Sequence, residues 1–175
     1  SAVALEIAAS ELHAQDDCDS KKLEHDFWTC NAESIHLANK LLNRISHSKK
    51  MPDENSVMLH FIKKSCEIFS IRLLHADFET ELALMRFLLK AAKMNLLASE
   101  NIDFINLKLN QLLEETVITK EDDEKTAIHK TLSREAACAL ALEFYQKNAC
   151  ADVVLKWKDV SENVDEFLEI RQIAT

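Results

Sequence analysis

Glycine is missing from all 175 residues, and proline occurs once. Tight hairpins and bulges rely on positive backbone φ, which glycine adopts at least cost, so a β-rich fold would have to place Asn or Asp at every turn. Glycine-built phosphate loops and nucleophile elbows are excluded with it. Aromatics are sparse, at 6%. No apolar run reaches the ~18–20 residues that span a bilayer. Basic residues are outnumbered, 21 Lys and Arg against 30 Asp and Glu, for a net charge of −9. Phosphate backbones are bound by clustered Lys and Arg, so neither nucleic acid nor a membrane is expected as the main partner. The opening stretch has no basic leader and already carries Glu6 and Glu11, which reads as an ordinary helix and not a signal peptide.

No CxxC occurs. Cys18, Cys30, Cys66, Cys138 and Cys150 are odd in number and far apart, a pattern that suggests reduced thiols and hence the cytoplasm or nucleus. Cys66 and Cys138 sit in apolar stretches and are expected to pack as small hydrophobes.

What is present is helical periodicity. With 47% apolar and 29% charged residues, the chain suits one globular helical domain over 1–175. Apolar residues three and four apart predict a first helix over 2–15, then one capped by Asp19 or Ser20 and running to about Ile45. A third spans Asp53 to His75, with Pro52 in its first turn. Asp77 is placed to cap a fourth, "ELALMRFLLKAAKMNLLA", whose wide apolar face marks it as the central, most buried helix and the antiparallel partner of the third. "SENID" at 99–103 reads as the next break, before a shorter helix carrying Leu107, Leu109, Leu112 and Leu113. After the acidic turn "TKEDDEK", Ile128, Leu132, Ala136, Leu140 and Phe144 mark a long helix ending near Asn148, which can take the left-handed terminal position. Two short helices follow, the second capped by Ser161. The fold class is all-α: an irregular bundle of about seven helices, with an α-solenoid-like array of helical hairpins as the alternative layout.

Chemistry-bearing motifs are few. Glu33 and His36 form a Glu-x-x-His, half of what a carboxylate-bridged di-metal bundle needs, but no second such motif occurs. The seven histidines make no HxxxH or HExxH pair. "DDCD" and "EDDE" lack the spacing and glycine of a calcium loop. No catalytic, cofactor-binding or metal-ligating residue is therefore assigned, and the sequence points away from an enzyme. A metal-dependent bundle enzyme ranks below the other readings.

Trp28 and Trp157 are either helix-packing rings or partner anchors, for which Trp is enriched. From Asp159 to Glu169 five residues are acidic and none basic, while Val160, Val164, Phe167 and Leu168 recur three and four apart. Such a helix can cap its own domain or bind a basic apolar partner. Trp157, Val164, Phe167 and Leu168 are thus the candidate partner-binding residues. The function expected is a non-enzymatic, acidic helical scaffold or adaptor that binds another protein's helix or peptide in a groove. The alternative is a bundle that encloses a small apolar ligand among the Met and Phe side chains of the third and fourth helices.

Overall fold

The computed structural model describes residues 31–48 and 56–163. The expected helix over 2–15, Trp28, Cys18, Cys30, Pro52 and everything after Asn163 lie outside the described residues. Within them the all-α bundle expected from the sequence is what the structure shows. It comprises α1 (Asn31–Ser46), α2 (Val57–Arg72), a 3-10 turn (Leu73–His75), α3 (Phe78–Lys93), α4 (Ser99–Glu115), α5 (Glu124–Gln146) and α6 (Asp152–Glu162).

The helix ends show how a chain without glycine makes its turns. Asp77 accepts a hydrogen bond from the Thr80 amide at 2.8 Å and opens α3; Asp123 accepts from Thr126 at 2.7 Å and opens α5. These bonds hold both carboxyls below the usual carboxylate range. At the other ends Asn95 and Asn148 take φ of 59° and 61°, the left-handed conformation that a glycine would otherwise supply.

Four boundaries differ from the sequence expectation, the first being the end of the fourth helix, expected through Ala98 and closed instead at Lys93. "SENID" is the first turn of α4 and not a break, because Asn95 has already ended α3 and the Asn101 side chain accepts from the Ala98 amide at 2.9 Å. The third helix tightens into the 3-10 turn at Leu73 before the Asp77 cap. Ser161 opens no new helix; it lies in the last turn of α6, where its hydroxyl donates to the Lys158 carbonyl at 2.6 Å.

Packing follows a ladder. Apart from α3 and α4, each described helix packs on its neighbours in the chain; each also packs on the helix two places away, and none packs broadly on a helix farther off. Two layers result: α1, α3 and α5 in the first, α2, α4 and α6 in the second. Bonds along the first layer show its helices running the same way. Lys90 donates to Asn43 at 3.2 Å; Phe78 and His129, near the starts of α3 and α5, stack at 3.8 Å; Lys147 and Asn95, just past their ends, bond at 2.6 Å. This is the layout of stacked helical hairpins, and it orders the bundle.

Among the described residues the buried apolar side chains form a single cluster. α3 sits at its centre, with Leu84, Phe87, Leu88 and Ala91 fully buried, and Phe69 of α2 meets Phe87 edge to face at 5.1 Å. Polar residues enter the core where their hydroxyls are satisfied within the helix. Ser65, Ser70 and Thr131 each donate to the carbonyl four residues back, at 2.7, 2.5 and 2.8 Å, and so pack like small apolar groups.

The α3–α4 hairpin is the exception in the ladder. These two helices scarcely touch directly, and the 3-10 turn lies against both. A buried ion pair crosses between them, Lys108 Nζ to a Glu81 carboxylate oxygen at 2.9 Å, with side chains 7% and 10% exposed.

Burial also separates the cysteines. Cys66 is fully enclosed, and desolvation pushes its thiol up to about 12, whereas Cys150 is exposed in the α5–α6 turn. Since the thiolate is the reactive form, brief alkylation of the native protein at pH 8 should modify Cys150 and leave Cys66 unmodified until denaturant is added. Peptide mapping by mass spectrometry reads the order; equal labelling of both would contradict the burial of Cys66.

Candidate functional site

The second layer carries an arrangement that the first does not. Four large hydrophobic residues are exposed among the described ones: Ile71, Leu107, Val117 and Leu155. Three of them lie one per helix on α2, α4 and α6, at 44%, 57% and 43% exposure.

Register places the three side by side. The middle of α2 and the start of α4 border one open cleft of about 470 Å³, lined by His60, Lys64 and Glu67 from the first and by Glu100 and Asn101 from the second. From that cleft α4 goes on to pack against the 3-10 turn that follows α2, so the two helices run the same way, and Ile71 and Leu107, four residues past Glu67 and six past Asn101, lie within about a turn of one level. On the next pair, the Trp157 indole Nε1 donates to the Leu109 carbonyl at 3.0 Å, a step of 48 residues. Leu155 and Leu107 are separated by that same step. The outcome is an aliphatic row crossing three helices, spanning about 16–20 Å at usual helix spacings of 8–10 Å. Isolated exposed aliphatics are ordinary, whereas aligned ones form a surface that a partner can cover.

A buried polar knot holds this layer in register. Arg134 of α5 donates to the Leu113 carbonyl at 3.2 Å and to the Thr116 hydroxyl at 3.0 Å, and Thr116 in turn donates to the Leu112 carbonyl. A guanidinium at the carbonyl end of α4 is favourable for the helix dipole. It also lies 5.2 Å from the centre of the Trp157 ring. No protein family, no curated protein and no solved structure matches the chain.

Trp157 belongs to that knot. Its ring is completely buried among α4, α5 and α6, so it offers no exposed anchor and instead fixes α6 to α4. The other candidates, Val164, Phe167 and Leu168, lie outside the described residues. Leu107, assigned to the apolar stripe of its helix by the sequence, is the most exposed of the four hydrophobics. Ile71 and Leu155 stand off the three-and-four spacing of their own helices; that was the available signal for them.

The remaining candidates are solvent-facing or tied up in helix-end contacts. Glu33 and His36 are both exposed on α1. In "EDDE", Asp122 accepts from Lys130 at 2.8 Å and from the Thr119 amide, which lowers its carboxyl pKa, and Asp123 is the cap of α5. Among the described residues no three of His, Cys, Asp and Glu gather where they could hold a metal ion, and no helix is long and apolar enough to cross a membrane. A second open cleft, of about 240 Å³, lies on the first layer between α3 and α5, lined by Leu82, Leu89, Leu132 and Arg86 among others.

Proposed function

We propose that this chain is a non-enzymatic helical interaction domain, a scaffold or adaptor that binds another protein across the outer surface of α2, α4 and α6. The observation that carries the reading is the aligned row of Ile71, Leu107 and Leu155, each left substantially exposed on adjacent parallel helices. Stacked helical hairpins present extended surfaces of this kind, and covering aliphatic area is the usual source of association energy. Five cysteines, odd in number and far apart in the sequence, support placing the domain in a reducing compartment, the cytoplasm or nucleus.

Site-specific photo-cross-linking in the source cell tests this. A benzoylphenylalanine at position 107 should yield a discrete adduct with one protein or a small set, whereas the same group at exposed position 86 on the first layer should not. Identical adduct patterns from both positions, or none from 107, would remove the second-layer surface as the binding site.

A further inference from the structure

Exposed charge is divided between the layers. On α2, α4 and α6 the exposed charged side chains are eight acidic and two basic; on α1, α3 and α5 they are three acidic and six basic. The negative charge also follows the aliphatic row closely. Glu67 precedes Ile71 by four residues, Asp103 precedes Leu107 by four, and Asp152 precedes Leu155 by three, and all three carboxylates are exposed. Positions three and four apart share a helix face. Because the helices run parallel at matched levels, these residues form a second row, of carboxylates, beside the first. Cations also border the surface: Lys64 lies 3.6 Å from Glu67, and Lys156 follows Leu155.

We propose that the occupant of this surface is a basic amphipathic helix of another protein, lying across α2, α4 and α6 with its apolar edge on the aliphatic row and Lys or Arg along the carboxylate row. This rests on the interaction reading above and adds the chemistry of the partner. Spacing supports a helix. Residues seven apart on a helix are about 10.5 Å apart along its axis at 1.5 Å per residue, close to the 8–10 Å between neighbouring packed helices. One partner side chain at every seventh position therefore meets Ile71, Leu107 and Leu155 in turn. Opposed charge sets orientation and speeds encounter, and like charge rejects acidic helices.

The test uses the full chain and two fluorescein-labelled synthetic helical peptides, identical in carrying Leu at every seventh position and differing only in Lys or Glu at the flanking positions. Fluorescence anisotropy should show the Lys peptide binding at least ten-fold tighter than the Glu peptide, with the advantage shrinking as salt rises. Leu107→Ser should weaken the Lys peptide about ten-fold, and Asp103→Lys should reduce the preference between the two, both with an unchanged melting temperature because the two side chains are exposed. Equal affinity for both peptides, or a Lys-peptide affinity indifferent to Leu107→Ser, would overturn the proposal. So would concentration-dependent self-association abolished by Leu107→Ser, which would give the row to a second copy. An adduct from position 107 whose cross-linked segment is acidic would refute this partner chemistry while leaving the interaction reading intact. Tight Lys-peptide binding with no cellular adduct would do the reverse.

Discussion

Lys108→Met should cost the protein about 3–5 kcal/mol of stability, the usual penalty for leaving one member of a buried ion pair without its counterpart. The Glu81 carboxylate would remain behind, 10% exposed, between α3 and α4, where the helices themselves make little contact to compensate. Combining Lys108→Met with Glu81→Leu should recover most of the loss, since apolar residues of similar volume can replace a buried pair at little or no cost. Urea unfolding of the two single variants and the double variant measures this. If Lys108→Met unfolds at the wild-type midpoint, the pair is not buried in solution.

A second large effect is expected at the centre of the core. Leu88 is fully buried on the helix that packs against α1, α2, α5 and the 3-10 turn. Leu88→Asp puts an unpaired charge or an unsatisfied carboxyl there, at a cost of several kcal/mol. Against a typical total of ~5–15 kcal/mol, the variant should be largely unfolded or insoluble by circular dichroism and sedimentation. Arg86→Asp, two residues away and exposed, is the control and should stay folded with a nearly unchanged melting temperature. Equal tolerance of both substitutions would show that this face of α3 is not in the core.

Fold class was legible because it depends on local chemistry. The missing glycines, the cap at Asp77 and the left-handed Asn148 each act within a few residues of themselves, and each is found where its chemistry predicts. Helix limits failed where two local signals competed. "SENID" contains residues typical of a break, yet Ser99 and Glu100 also suit a first helical turn, and Asn95 ended the preceding helix four residues earlier.

Burial on α5 was harder to read. Its buried face includes Thr131, Ser133 and Arg134, which an apolar stripe does not count. Thr131 is satisfied by its own helix and Arg134 by the end of α4, and neither bond can be seen without the fold.

The aliphatic row was not legible for a different reason. It exists only through the register of helices separated by tens of residues, set by contacts such as Trp157 to Leu109. The sequence shows that Trp157 is large and flanked by lysines; it does not show that the ring faces inward.

Among the described residues no helix packs broadly on one more than two places away, so no cross-brace joins distant hairpins there. A small change in angle between successive hairpins is not opposed by any distant strut, so such changes add along the stack and bend it as a leaf spring bends. The outer surface of α2, α4 and α6 is one leaf of that spring. Flexing it alters the curvature of the row while each helix keeps its shape, so a straight partner and a bowed one can be met by small shifts shared among the hairpins.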